Sequence, residues 1–232
     1  RQASPEGVSV LGFERAANGV PTADVRISDD GAGHEIVLWS GSRRLGGAEV
    51  LWPRPADGSE PRWRYVTGDL GLGHVAFMVE PGRLETTDAF YQEELGFRVT
   101  DTTTLPGVSV RFLRCNPRHH TVAVGADSSP GRLLHLALQV SGPDDLGRLM
   151  DHVVASGARV AKSVGRHVND KMVSFYLATP SPWDIEIGFG GLEIIDGDPA
   201  FPTASDRVSS WGHRALMPRT SRIGAEYQAA ER

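Results

Sequence analysis

An internal repeat constrains this chain more than any other feature, because two stretches share one layout. The first runs Gly71-Leu-Gly-His-Val-Ala-Phe-Met-Val79, crosses a polar stretch, and resumes as Thr87-Asp-Ala-Phe-Tyr-Gln-Glu-Glu-Leu-Gly-Phe97. The second runs Leu133-Leu-His-Leu-Ala-Leu-Gln-Val140 and then Asp144-Asp-Leu-Gly-Arg-Leu-Met-Asp-His-Val-Val-Ala-Ser-Gly157. Each is a short apolar run leading into a segment of helical period. Phe90, Leu95 and Phe97 mark the buried face and exit of the first helix, and Leu146, Leu149 and Val153 mark the second. Gly96 and Gly157 fall where a C-terminal cap belongs.

Strand-like runs follow each helix, at 108–115 and 120–124 in the first unit and at 159–162, 172–177 and 184–189 in the second. Each unit therefore reads β-α-β-β-β. The expected class is α+β, with paired βαβββ modules forming a curled mixed sheet around a metal site. A partial third copy is expected upstream. Residues 23–27, the turn Asp29-Asp-Gly-Ala-Gly33 and His34-Glu-Ile-Val-Leu-Trp39 resemble the last hairpin of such a unit, as Ala178-Thr-Pro-Ser-Pro182 leads into 183–189. Aligning Ile36 with Ile185 sets Val37 against Glu186, so this copy lacks the carboxylate. The stretch 52–64, with three prolines, reads as a linker. The expected division is 1–64 as partial N-terminal module and linker, 65–191 as the two-module catalytic domain, and 192–232 as a tail packed on the surface.

Composition narrows the partners. A net charge of −5 gives no electrostatic footprint for nucleic acid. No stretch is apolar enough, for long enough, to cross a membrane, and no signal peptide opens the chain. The one cysteine, Cys115, excludes an internal disulfide and a thiolate-rich metal site. A cytoplasmic protein is the expectation.

His74 sits in the first strand of one repeat, and His135 holds the same place in the next. Glu186 lies on the last strand of the second repeat. If the modules pack about a pseudo-twofold axis, two imidazoles and one carboxylate meet on one face of a metal and leave the other face open. Fe(II) suits that donor set, and Mn(II) suits it too. Spacing alone leaves the alternatives open: either histidine could be a packed core residue, and Glu186 the exposed position of an edge strand.

Further motifs resemble those of the type I extradiol ring-cleaving dioxygenases of the vicinal oxygen chelate superfamily. They are Gly71-Leu-Gly-His74, Cys115-Asn-Pro-Arg-His-His-Thr121, Leu134-His-Leu-Ala-Leu-Gln139, Gly165-Arg-His-Val-Asn-Asp170, Ser174-Phe-Tyr176 and Glu186-Ile-Gly188. Trp211-Gly-His213 is similar to the biphenyl-catechol branch. The resemblance implies that His74, His135 and Glu186 hold Fe(II). It implies that His120 stands beside the O2 position, that His167 lies near the substrate hydroxyls, and that Tyr176 hydrogen-bonds a catecholate oxygen. Asn169 and Asp170 match a polar substrate-binding loop. The implied activity is cleavage of a catechol ring by O2 next to the diol, on a biphenyl-type or other bulky catechol, by a homo-oligomer. His119 is expected to be structural, and His34, His152 and His213 to be surface or packing residues. The family's usual chain has two modules before the catalytic domain, whereas residues 1–64 leave room for one. The competing readings are a non-enzymatic aromatic-ligand-binding protein of the same fold and another metal-dependent enzyme of the superfamily.

Overall fold

The computed structural model describes residues 63–66, 70–71, 73–126, 132–181 and 183–217, with the backbone of two strands nearer the N-terminus. Those two are β1 (Asp24–Asp29) and β2 (Glu35–Ser40), an antiparallel pair where the upstream hairpin is expected. His34, the stretch 52–62 of the expected linker and residues 218–232 of the tail lie outside the described residues.

The first repeat forms β3 (Gly73–Val79), α1 (Leu84–Ala89), β4 (Arg98–Leu105), β5 (Val108–Arg114) and β6 (Val122–Ala126). The second forms β7 (Arg132–Gln139), α2 (Pro143–Ser156), β8 (Val160–His167), β9 (Val173–Ala178) and β10 (Asp184–Phe189). Two short tail strands follow, β11 (Thr203–Ser205) and β12 (Ser209–Trp211). All ten strands from β3 onward share one sheet, ordered β11-β4-β5-β6-β3-β7-β10-β9-β8-β12. The first strand of each module sits at the seam, antiparallel to its counterpart, β3 on β7. Each also runs parallel to its own module's last strand, β3 to β6 and β7 to β10. The expected mixed sheet of two βαβββ modules is the observed one.

Alternation along the seam strands sorts the faces. Val75, Phe77 and Val79 of β3 pack with Leu84, Tyr91 and Phe97 around α1. Leu146, Leu149 and Val153 of α2 pack on Phe175 and Ile187. His74, Ala76 and Met78 of β3 and His135 of β7 line the cavity on the other face. The buried face of the first helix differs from expectation. Leu84, Thr87 and Tyr91 are its buried residues, while Phe90 and Leu95 pack half-buried against them, because the last turn widens over Phe90–Glu94. Gly96 and Gly157 do terminate the helices, at φ 71° and 73°.

Two features escape sequence periodicity. Strand β4 carries Asp101-Thr-Thr-Thr104 in place of an apolar alternation, and its inward residues Thr100, Asp101 and Thr103 are buried polar groups. They are satisfied in part by the tail: Thr203 Oγ1 donates to Asp101 Oδ1 at 2.8 Å, and Ser205 Oγ lies 2.7 Å from Thr103 Oγ1. The tail also does more than cover the surface. β11 pairs with β4 at one edge and β12 pairs with β8 at the other, so both sheet edges of the two modules are closed by it. Among the described residues, no helix is long and apolar enough to cross a membrane.

Gly73 shows how tightly the seam is built. A Cβ there would lie 1.8 Å from the Ala137 carbonyl oxygen on β7, a backbone atom that cannot step aside alone. Gly73→Ala is expected to destabilise the fold by about 3 kcal/mol, or about 6–12 °C in melting temperature for a chain of this size. Thermal melting followed by circular dichroism checks it; an unchanged midpoint would mean the seam is slack.

Candidate metal centre

The sheet register brings the donors together. His74 on β3 is paired with Ala137 on β7, and Ala137 is paired in turn with Glu186 on β10. The three lie in one row across the sheet, on one face. His135, two residues before Ala137, shares that face. The alanine methyl between the longer side chains leaves space above it. There His74 Nε2 and His135 Nε2 stand 3.0 Å apart, and each lies 3.2 Å from Glu186 Oε2. His74 and Glu186 are buried and His135 is nearly so.

Glu186 has two unlike oxygens. Oε1 accepts from Ser174 Oγ at 2.6 Å and lies 3.0 Å from His167 Nε2. Oε2 is buried with no hydrogen-bond partner among the described residues. Burial opposes the charge on Glu186, but the facing imidazoles of His135, His167 and His74 outweigh it and hold the carboxyl well below its usual range. Burial pushes His135 down to about 4, against the pull of Glu186. Two imidazole nitrogens that present lone pairs and a carboxylate oxygen facing one another repel unless a cation lies between them. Donors about 2.1 Å from a common centre and at right angles stand about 3.0 Å apart, whereas a trans pair would be about 4.2 Å apart. The three observed edges match three cis donors on one face. The residues fit a divalent cation, and two imidazoles with one carboxylate suit Fe(II) or Mn(II).

The other expected residues surround this triangle. His120 stacks obliquely on His74, ring centroids 4.0 Å apart, with its edge against Phe112. His119 Nδ1 lies 3.1 Å from His120 Nδ1, which leaves His120 Nε2 for the cavity. Burial, reinforced by His74 and His119, pushes His120 well below the usual imidazole value. Tyr176 is paired with Glu186 across β9 and β10, and its hydroxyl lies 3.0 Å from His167 Nε2. His167 Nδ1 faces the Val208 carbonyl at 3.2 Å and must donate to it. Burial works against a charge on His167, yet the hydrogen bond to Glu186 prevails and raises its pKa. Asn169 and Asp170 line the same cavity in the turn between β8 and β9. Asp170 is buried, its Oδ1 accepting from Met172 N at 3.0 Å and its Oδ2 4.0 Å from His120 Nδ1. All eight expected residues border one cavity.

Sequence reasoning missed three neighbours. Ser174 entered only as part of a motif, yet it is fully buried against Glu186. His213 is neither surface nor mere packing: it is buried, its ring 4.3 Å from that of His167, and burial pushes it down to about 3. Lys162 borders the cavity with its ammonium 4.6 Å from the Tyr176 ring centroid. Simple alternation along β8 would set Lys162, five residues before His167, on the opposite face; the irregularity between Lys162 and Gly165 brings both to the cavity. The Trp211-Gly-His213 pattern was the available signal for the histidine. His119 is buried, as a structural residue would be, and His152 is exposed against Trp63.

Comparison with known proteins bears on this arrangement. The family model described as Glyoxalase/Bleomycin resistance protein/Dioxygenase superfamily matches residues 71–187. The chain is 38% identical over 166 residues to an iron-dependent extradiol dioxygenase of Rhodococcus jostii (strain RHA1), covering 65% of this chain and 53% of that protein. It is 32% identical over 215 residues to a 2,2',3-trihydroxybiphenyl dioxygenase of Sphingomonas paucimobilis, covering 88% and 72%. The crystal structure of 2,2',3-trihydroxybiphenyl 1,2-dioxygenase from Sphingomonas wittichii strain RW1 superposes with a TM-score of 0.68 at 31% identity, over 82% of this chain and 64% of that one. The chain thus spans little more than half the length of the first of these relatives.

Proposed function

This chain belongs to the glyoxalase/bleomycin resistance protein/dioxygenase superfamily, and within it we propose an Fe(II)-dependent extradiol dioxygenase that cleaves a catechol ring beside its diol. The single observation that carries the reading is the triangle of His74 Nε2, His135 Nε2 and Glu186 Oε2, with edges of 3.0 to 3.2 Å, opening on a cavity that also holds His120, His167 and Tyr176. A protein that only sequesters an aromatic ligand has no use for three converging donors.

When bound, Fe(II) would act as Lewis acid toward a vicinal diol and give O2 access to the electrons of the catecholate. The chain's own groups do the rest. Tyr176 and His167, hydrogen-bonded to each other, offer a polar edge where one diol oxygen keeps its proton and the other loses it. His120, stacked on His74 with its Nδ1 engaged by His119, turns Nε2 to the cavity and is placed to pass a proton there as the ring opens. Asn169 and Asp170 orient the diol from the β8–β9 turn. Val110, Phe112, Leu134 and Val208 supply apolar walls for a second ring, which favours a biphenyl-type or other bulky catechol. Both atoms of O2 end in the product, a hydroxymuconic semialdehyde where the cleaved carbon carries hydrogen and the corresponding ketone where it carries a second ring. The chemistry is proposed for residues 65–191 with the tail strands closing the sheet, and one thiol and a ferrous cofactor both suit a reducing cytoplasm.

The test is to load the protein with Fe(II) without air, add catechol, 3-methylcatechol or biphenyl-2,3-diol, and then admit air. A yellow ring-opened product should form with one O2 consumed per catechol. One tightly bound iron per chain with no colour from any of the three diols would overturn the reading.

A further inference from the structure

The tail residue His213 reaches the centre through one intermediary. Ser174 Oγ donates to Glu186 Oε1, and a hydroxyl has one proton to give. His213 Nε2 lies 3.0 Å from that same Oγ, so here the ring nitrogen is the donor. Its Nε2 also lies 3.2 Å from the Ser174 carbonyl, which can only accept. His213 Nδ1 is then left as acceptor, and Ser209 Oγ, 2.8 Å away on β12, donates to it. Donation runs in one direction, Ser209 to His213 to Ser174 to Glu186.

The backbone is shaped around this chain of donors. A Cβ at Gly212 would lie 2.1 Å from the Val164 carbonyl oxygen, and one at Gly165 would lie 2.6 Å from ring atoms of His213. Only glycine at both places lets the tail pass so close to β8. His213 itself has φ 50°, a left-handed conformation unfavourable to a residue with a side chain. Two glycines, a strained backbone and a buried ring thus converge on one contact behind the carboxylate.

We propose that His213 is a positioning residue for Glu186: through Ser174 it ties down Oε1 and so holds Oε2 toward His74 and His135. The inference rests on reading those three residues as the ligands. The C-terminal edge strand thereby sets how tightly the centre binds its cation.

The test measures Mn(II) affinity of the full chain by paramagnetic resonance titration, with thermal melts alongside. His213→Ala and Ser174→Ala should each weaken Mn(II) binding by about 10- to 100-fold. The double variant should be no weaker than either single one, because both cut the same line. His213→Gln, which keeps an N–H donor, should recover most of the loss. A purely structural histidine would lower the melting temperature and leave the affinity alone, and that result overturns the proposal. Additive losses in the double variant overturn it too. Should His213→Ala fail to fold, Ser174→Ala and His213→Gln decide: full affinity in Ser174→Ala overturns the proposal, and a loss there with none in His213→Gln supports it. Glu186→Gln separates the two levels. Affinity lost in Glu186→Gln but kept in His213→Ala overturns this proposal alone, whereas affinity kept in Glu186→Gln overturns the ligand reading with it.

Discussion

Glu186→Gln is expected to purify folded and almost free of metal, with ring cleavage lost. The substitution keeps the shape of the side chain and removes the one negative charge among His74, His135 and His167. Leaving a buried charge without its partner costs about 3–5 kcal/mol, and that corresponds to roughly 150- to 4,000-fold in dissociation constant. Stability of the metal-free chain should change little. The glutamine amide can donate to the imidazole lone pairs, and His167 can shed its proton once the carboxylate that holds it is gone. Metal analysis of the purified variant against the wild type checks this directly. One tightly held ion per chain in Glu186→Gln would remove Glu186 from the ligand set.

His120→Ala should give the opposite split, with metal retained and turnover lost. The ring lies against His74 without entering the triangle, and its Nδ1 is engaged by His119. Removing a positioned proton carrier typically costs about 100- to 10,000-fold in kcat. Iron content should stay at the wild-type value, and KM for the catechol should move far less than kcat. Unchanged turnover would take His120 out of the mechanism, and loss of iron would make it part of the donor set.

The two predictions draw on residues that the sequence made visible for different reasons. His74 and His135 stood out because the repeat set them at equivalent places, and apolar runs flanked both. Glu186 was less distinct, since a glutamate in a strand is often just solvent-facing; only the parallel pairing of β10 with β7 makes it a neighbour of the seam. The cores under α1 and α2 followed from period, with the exception of the widened turn over Phe90–Glu94. Strand β4 was hidden because its buried positions are the polar Thr100, Asp101 and Thr103, and the partners of the last two lie about a hundred residues later in the tail. Three-residue edge strands such as β11 and β12 are held by backbone pairing, which leaves no hydrophobic period to read. His213 carried a motif, but its place depends on how closely two glycine-bearing segments approach, a property of the folded chain alone.

The arrangement of the sheet about its β3–β7 seam has a consequence for why the centre is open on one side. His74 lies two residues before Ala76, which pairs in parallel with Ala123 on β6. His135 lies two residues before Ala137, which pairs in parallel with Glu186 on β10. The operation that exchanges the two modules therefore exchanges Ala123 with Glu186. The duplicated scaffold offers two equivalent seats for a carboxylate and fills one. The other holds the Ala123 methyl group on the cavity wall. Chemical asymmetry in a symmetric frame here comes down to the choice of alanine over glutamate at a single position.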